Sequence, residues 1–320
     1  MNPNRLVKLR KGCFIISLDF ELAWGTRGRP KAAVVGPDLD GTRRAIDGLI
    51  ELFDEFDIPA TWVAVGAMFM GGSQRHPWIS DACFDDIPHG NCDTEPHWYA
   101  EDILEKLLAM KTRQDIGCHT LTHMFVRDTP ESRAQFDLEL ERSVKLFEQL
   151  KLPRPKSFIY PKHFMAHHDL LKKHGFECYR GPEAGWFEQL PTTSLKAAGR
   201  LLSARLRQAP SVGLPYKSAE DLWVIPSSQF YPSFRSVGKY VSVADRVAKA
   251  IKGLDAAVSQ QAVYHLWTHP FNLGLETDAL LAGCRQILLH SQRLRETGKL
   301  ECLSMANLSD RLTEQVEPVA

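Results

Sequence analysis

The stretch DIGCHTLTH, at residues 115–123, places two histidines four positions apart directly after a short apolar run. The run has the length and composition of a buried strand, so both histidines follow a predicted strand end. At this spacing His119 and His123 could project side by side and bind one metal ion, or they could be two surface histidines. The choice depends on whether acidic partners occur elsewhere in the chain.

The segments on both sides of this stretch alternate between apolar runs that predict strands and longer amphipathic runs that predict helices. Strands are predicted at CFIISLD, PATWVAVG, QDIGCH, KSFIYP, LWVIP, AVYHLWTHP and LECLS, and helices at 38–56, 100–111, 131–150, HHDLLKKHG, 241–256 and 278–296. This order implies an α/β fold of parallel strands joined by crossover helices, either a barrel or a doubly wound sheet.

Two segments interrupt the alternation within what we expect to be a single domain over residues 1–320. Residues 66–99 are rich in Gly, Pro, Cys, His and Trp and predict a long irregular loop. Residues 187–220 predict a partly helical insertion around the basic run SLKAAGRLLSARLRQ, which we interpret as a solvated helix face. Long insertions after strands commonly shape substrate sites in α/β folds.

Composition excludes several classes of protein. Lysine plus arginine and aspartate plus glutamate both total 39 in 320 residues, which argues against a general nucleic-acid partner. No apolar run approaches the roughly 20 residues of a membrane span, and the N-terminal apolar run is interrupted by Asp19 and Glu21. Seven scattered cysteines without a CxxC pair favour reduced thiols in a cytoplasmic protein.

Acidic partners for the histidine pair follow the first predicted strand. Asp19 and Glu21 are two residues apart, so both point to the same side of an extended backbone. His269 follows another predicted strand, and in a parallel barrel all these strand ends converge on one rim. Two neighbouring carboxylates are costly unless a cation or a shared proton relieves their repulsion.

These residue types together suit a metal-dependent hydrolase of an amide or ester. One carboxylate oxygen and two imidazole nitrogens are ligands that zinc or a similar divalent ion accepts, with positions left for water and substrate. The second carboxylate could take a proton from the attacking water, and His269 could protonate a leaving group.

The order SLDFE, HTLTH and HLWTHP resembles that of the NodB-homology polysaccharide deacetylases, carbohydrate esterase family 4, over about residues 13–310. The resemblance implies a distorted (β/α) barrel that removes N-acetyl or O-acetyl groups from carbohydrates, with N-acetyl groups as the first expectation. It further implies that His119 and His123 are metal ligands and that His269 is the general acid. Asp19 is assigned as the base and Glu21 as the third ligand, although these two roles could be exchanged.

The sequence departs from the family pattern in two motifs. The family's third motif offers an arginine two residues before its proline, where this chain has Ile159, and Lys162, His163 or Arg180 could supply the missing charge. The family's fourth motif, Asp-Trp, is not evident in YRGPEAGWF. We also expect backbone donors near Tyr160 to bind the oxyanion and Trp24 to offer a flat face to a sugar.

The resemblance implies a divalent metal cofactor, Zn²⁺ first and Co²⁺ or Ni²⁺ as alternatives. The expected substrate is an acetylated sugar or glycan intermediate of bacterial surface polysaccharide or lipopolysaccharide assembly, handled in the cytoplasm or at the inner face of the membrane. Two rival functions are a metal-independent hydrolase of cyclic amides and a catalytically inactive glycan-binding protein.

Overall fold

The computed structural model describes residues 6–27, 36–71, 87–183 and 185–316, and these contain ten labelled strands. The strands are β1 (Gly12–Phe20), β2 (Thr61–Ala64), β3 (Asp115–Cys118), β4 (Ser157–Phe158), β5 (Cys178–Glu183), β6 (Tyr216–Lys217), β7 (Trp223–Ser227), β8 (Gln229–Phe230), β9 (Val263–Thr268) and β10 (Leu300–Cys302).

Helices alternate with these strands along the chain. They are α1 (Gly36–Glu55), α2 (Glu101–Ala109), α3 (Pro130–Gln149), α4 (His168–Lys173), α5 (Thr193–Arg205), α6 (Val243–Gln260), α7 (Thr277–Glu296) and α8 (Met305–Val316). Short 3₁₀ turns follow several strands, as at Leu22–Thr26 after β1 and Pro270–Leu273 after β9.

The strands form one curved sheet in the order β6-β7-β5-β4-β3-β2-β1-β9-β8, with β10 also paired to β1. Every pair is parallel except β6 with β7. An antiparallel bridge from Gly213 to Val263 joins the connection between α5 and β6 to β9, near the other end of the sheet. The predicted distorted (β/α) barrel is therefore confirmed, and the doubly wound alternative is wrong.

Burial explains why the strand predictions based on apolar runs succeed. All nine residues of β1 are buried, as expected for a central parallel strand covered on both faces. Helix α3 begins at Pro130 and is capped by Thr129, whose side-chain oxygen accepts a hydrogen bond from the Ser132 amide.

The sequence analysis did not predict strands β5, β6 and β8. Strand β5 reads CYRGPE, and its glycine and proline are typical of turns, which masks the strand signal. The predicted loop at 66–99 contains a 3₁₀ turn at Gly66–Phe69, and residues 72–86 lie outside the described part of the chain. Among the described residues, no helix has the length and apolar character needed to cross a membrane.

Candidate metal centre and catalytic cleft

The register of the sheet brings the predicted site residues to one level. Phe20, Ala64 and Cys118 are partners across β1, β2 and β3, so the next residues, Glu21 and His119, lie side by side. Leu18 is likewise the partner of Thr268 in β9, which places His269 beside Asp19. All these residues follow or end strands at the same rim of the barrel.

A cleft of about 260 Å³ opens at this rim. Its walls combine both carboxylates with imidazole and aromatic rings, and the lining residues are Asp19, Glu21, Gly25, His123, Lys162, His163, Phe230, Trp267, His269, Phe271 and Asn272.

Three buried side chains at the base of this cleft have the composition of a metal site. The Glu21 carboxylate lies 3.2 Å from His119 Nε2 and 2.8 Å from His123 Nε2. One candidate ligand atom from each residue lies within 4.8 Å of the other two. One carboxylate and two imidazoles match the ligand set of catalytic zinc sites that leave positions open.

Hydrogen bonding at His119 indicates that a cation fits between these side chains. His119 Nδ1 lies 2.7 Å from the Ile159 carbonyl oxygen, which can only accept, so Nδ1 carries the proton. The lone pair of Nε2 then faces the Glu21 oxygen, an arrangement that repels unless a proton or a metal ion lies between them. A backbone carbonyl that fixes the tautomer in this way is typical of metal-binding histidines.

Electrostatics keep this cluster ready for a cation. Burial raises the pKa of Glu21, but its interactions with His123, His269 and His119, hydrogen bonds included, together hold that pKa well below its usual value, so the group remains a carboxylate. Burial lowers the pKa of His123, which favours the neutral imidazole that a metal requires. An alanine at position 25 would displace the Glu21 carboxylate, because its Cβ would lie 1.9 Å from Glu21 Oε1.

The loop that carries both histidines is held in a strained conformation by a partly buried glutamate. Thr120 and His123 have φ values of 63° and 60°, in the left-handed region that disfavours such residues. Glu139 of α3 accepts hydrogen bonds from the Leu121 amide at 2.7 Å, the Thr122 amide at 2.9 Å and the Thr122 hydroxyl at 2.8 Å. This glutamate therefore positions the loop between the two histidines.

Asp19 is paired with Arg180, which arrives from β5. Arg180 donates from its two terminal nitrogens to the two carboxylate oxygens, at 2.6 and 2.8 Å, and both side chains are buried. Burial raises the pKa of Asp19, but the Arg180 guanidinium, together with His269 and His119, outweighs burial and holds the pKa at about 2. Of the three candidates for the missing positive charge, Arg180 is the one that contacts this carboxylate.

A second layer of side chains fixes Arg180. Its guanidinium lies 4.2 Å above the Trp267 ring and donates to Ser17 Oγ at 3.1 Å. Ser17 Oγ in turn lies 2.8 Å from Nε2 of the buried His265. Burial lowers the pKa of His265 to about 3, so this imidazole is neutral and can accept the Ser17 proton. The network orients the arginine toward Asp19.

His269 stands at the cleft wall with a ring nitrogen facing both carboxylates. Its Nε2 lies 3.7 Å from Asp19 Oδ2 and 3.5 Å from Glu21 Oε1. Asn272 Nδ2 lies 3.1 Å from His269 Nδ1, an arrangement in which the amide donates and the proton of the neutral ring sits on Nε2. The proton therefore faces the cleft.

Of the remaining predicted residues, one lies in the cleft, and two have side chains that lie outside it. Lys162 lines the cleft, with its ammonium 3.9 Å above the Phe125 ring. The Tyr160 side chain is buried in a separate apolar cluster, where its hydroxyl lies 2.9 Å from His168 Nδ1. Trp24 is fully buried, donates to the Trp98 carbonyl and packs edge to face on the Trp98 ring. Its ring face is therefore not available to a sugar, contrary to the prediction.

Sequence reasoning did not identify several residues of the cleft and its support, including Ser17, Phe230, Trp267 and Asn272. Two of them belong to the SLDFE and HLWTHP runs. Ser17 lies two residues before Asp19, and Trp267 lies two residues before His269. The period of two residues in a strand was therefore a usable signal for them. Phe230 lies in the unpredicted strand β8 and carried no such signal.

Known structures resemble the chain over nearly its whole length. A protein of Mycobacterium smegmatis assigned as a polysaccharide deacetylase is 16% identical with a TM-score of 0.63, and the match covers 98% of this chain and 96% of that one. The α-amylase AmyC of Thermotoga maritima is 12% identical with a TM-score of 0.55, covering 97% and 76%. A family 4 carbohydrate esterase of Streptomyces lividans is 13% identical with a TM-score of 0.40, covering 94% of each chain.

No protein-family model and no curated protein sequence matches the chain. At these levels of identity, structural likeness establishes the fold and not the reaction, and an α-amylase is among the matches. The chain therefore has the NodB-type (β/α) barrel fold that the motifs predicted, the fold it shares with the polysaccharide deacetylase of M. smegmatis.

Proposed function

We propose that this protein is a divalent-metal-dependent hydrolase that removes acetyl groups from a carbohydrate. The observation that carries the proposal is the buried cluster of Glu21, His119 and His123 beside the Asp19–Arg180 pair, at the rim of the barrel. The resemblance of SLDFE, HTLTH and HLWTHP to deacetylase motifs, together with the shared fold, indicates the reaction class.

The proposed ligands are Glu21, His119 and His123, with Zn²⁺ as the first choice and Co²⁺ or Ni²⁺ as alternatives. When bound, such an ion would polarise an acetyl carbonyl and make water more acidic. The hydrogen bonding supports the choice between the two carboxylates. Both oxygens of Asp19 bond to Arg180, whereas Glu21 Oε2 faces the two imidazoles.

Asp19 is the proposed general base. Arg180 holds its carboxylate in the anionic form and leaves Oδ2 directed toward the cleft, 3.7 Å from His269 Nε2. A carboxylate in this position accepts the proton of the attacking water.

His269 is the proposed general acid. Asn272 orients the ring so that the Nε2 proton points toward the leaving group. This arrangement favours N-acetyl over O-acetyl substrates, because an amine leaves the tetrahedral intermediate only after protonation, whereas an alkoxide needs less help. Lys162 and the aromatic rings of Trp267 and Phe230 form the walls against which a sugar would lie.

The first experiment is elemental analysis of the purified protein beside a His119→Ala, His123→Ala double variant. A control double variant, His174→Ala with His290→Ala, removes two histidines that pair with Asp137 and Asp255 away from the cleft. We expect about one zinc, cobalt or nickel ion per chain in the wild type and in the control, and none in the site variant.

Acetate release from a panel of N-acetylated and O-acetylated sugars then tests the reaction. We expect release by the metal-loaded protein and loss of it in Asp19→Asn and His269→Gln. Acetate release that persists in metal-free protein would contradict metal dependence and favour the metal-independent hydrolase. Sugar binding without any release would favour the glycan-binding protein.

A further inference from the structure

A second cavity of about 270 Å³ lies next to the catalytic cleft and shares a wall with it. Phe230 lines both spaces, and on the cleft side its ring centroid lies 4.5 Å from that of Trp267 and 5.9 Å from that of His269. A molecule with one part in the cleft could therefore extend past Phe230 into this cavity.

Helix α5 forms the outer wall of this cavity. Its residues Ala197, Arg200, Leu201 and Ala204 line the space at helical spacing. The basic run predicted as a solvated face thus also has a cavity-facing side. Further apolar walls come from the side chains of Phe187, Pro232 and Val241.

The same cavity carries an excess of positive charge. Of the side chains described around it, four are cationic and one is a carboxylate, namely Arg200, Arg235, Arg246 and Lys249 against Glu183. Arg246 donates to backbone carbonyls of the 232–241 segment and so shapes the wall. The other cations come from three separate elements and surround the space.

Lys249 is the most informative of these groups. It is 6% exposed, and its ammonium donates to Ser203 Oγ at 3.0 Å. Burial lowers its pKa, Glu183 raises it and Arg200 lowers it further, so the cavity lowers the stability of the ammonium relative to water. A buried ammonium is costly unless an anion compensates it, and an anionic ligand would do so.

We infer that this cavity binds the phosphate and adjoining hydrocarbon of a lipid-linked sugar whose acetylated ring lies in the catalytic cleft. The inference rests on the proposed deacetylase function and specifies its substrate class. In a ligand that occupies both spaces, the anionic group lies between the sugar ring in the cleft and the apolar chain in the second cavity. A phosphate diester keeps its negative charge when bonded on both sides, whereas a carboxylate loses its charge when esterified.

A nucleotide-linked sugar has a bridging phosphate too, but the walls favour a hydrocarbon. A nucleoside needs several hydrogen-bonding groups for its base and ribose. Among the described lining residues, Gln229 and Ser233 are the uncharged polar side chains, and the remaining uncharged residues are apolar or glycine. The outward face of α5 also presents Leu195, Leu202 and Leu206 to solvent, as suits a surface that meets lipid.

The test is calorimetric titration of the metal-free, full-length protein with decyl phosphate below its micellar concentration. Decanol, inorganic phosphate and uridine diphosphate serve as comparison ligands. We expect decyl phosphate to bind at least about tenfold more tightly than each of them, because only it uses both the cations and the apolar wall. Equal or tighter binding of uridine diphosphate would overturn the lipid assignment.

Two variants locate the binding site. Ala204→Phe fills the cavity and should weaken decyl phosphate binding about tenfold or more, and Arg200→Gln should weaken decyl phosphate but not decanol. Arg205→Gln is the matched control, since Arg205 lies on the same helix and donates to the Tyr240 carbonyl instead. Unchanged binding in both site variants would place the ligand elsewhere and refute the inference.

This outcome is separable from that of the proposed function, because alkyl phosphate binding needs neither metal nor acetate release. Binding without deacetylation would leave the cavity assignment standing and remove the reaction. Deacetylation of simple sugars without alkyl phosphate binding would support the proposed reaction and refute the cavity assignment.

Discussion

Replacing Glu139 by methionine should weaken metal binding although this residue is not a proposed ligand. The substitution keeps a side chain of similar length but removes the acceptor for the Leu121 and Thr122 amides and for the Thr122 hydroxyl. The hydroxyl can rotate to another partner. The two amides cannot, and an amide that is shielded from water and loses its partner costs about 1–3 kcal/mol.

The loss of stability should be smaller than the sum of those two penalties. Burial raises the pKa of Glu139, which shows that desolvation of its carboxylate already opposes folding, and methionine removes that cost. We therefore expect the free energy of unfolding to fall by about 2–3 kcal/mol. Because the loop between His119 and His123 is strained, loosening it should raise the metal dissociation constant about 10–100-fold.

The assay pairs urea denaturation of the metal-free protein with competition titration against a chelating indicator. Glu139→Gln keeps one acceptor oxygen and should lie between wild type and Glu139→Met in both measurements. Glu141→Met, on the opposite, exposed face of the same helix, removes only a pair with Lys145 and should cost less than about 0.5 kcal/mol. A folded Glu139→Met protein whose metal affinity stays within about twofold of wild type would refute the positioning role.

Three further outcomes follow from the site. Arg180→Met strands the buried Asp19 carboxylate, so the free energy of unfolding measured in urea should fall by about 3–5 kcal/mol, and a loss below about 1 kcal/mol would contradict the pairing. Gly25→Ala forces the Glu21 carboxylate aside, so metal affinity should fall about tenfold while the free energy of unfolding changes by less than about 1 kcal/mol. Unchanged metal affinity would show that this carboxylate is not a ligand. The pKa of His265 is about 3 in the fold and about 6.5 when unfolded, so between these values the unfolded chain binds more protons. Stability should therefore fall as the pH is lowered from about 6.5 toward 3, by up to about 1.4 kcal/mol per pH unit from this group, and denaturation at several pH values should show a shallower slope in His265→Gln.

The sequence predicted the convergence of Glu21, His119 and His123 better than it predicted the walls of the cleft. Glu21, His119 and His123 follow strands with strong apolar patterns, and parallel strands bring such ends together by register alone. The position of the Trp24 side chain was not predicted, because side-chain direction after a strand depends on the local turn. The 3₁₀ turn at Leu22–Thr26 directs Trp24 into the core.

The role of the insertion at 187–220 could not be predicted from its composition. Its helix α5 has basic residues that suggest solvent, but which face is covered depends on contacts with the 3₁₀ turn at Ser236–Tyr240 and with α6, distant in sequence. Small residues such as Ala197 and Ala204 gave no signal of a cavity, because alanine is common in any helix.

The position of Arg180 affects how proteins of this kind can be found. Cys118, Phe158 and Tyr179 are partners across β3, β4 and β5, so Ile159 and Arg180 occupy the same row of the sheet on adjacent strands. Ile159 stands where the deacetylase motif has its arginine, and a cation placed one strand over still reaches Asp19. In the proposed role, Arg180 lies about 20 residues farther along the chain than the arginine of that motif would, and only about 5 Å away in space, the distance between neighbouring strands. A search that reads motifs in linear order would miss a positive charge placed in this way. A comparison of residues in the same row of the sheet would find it.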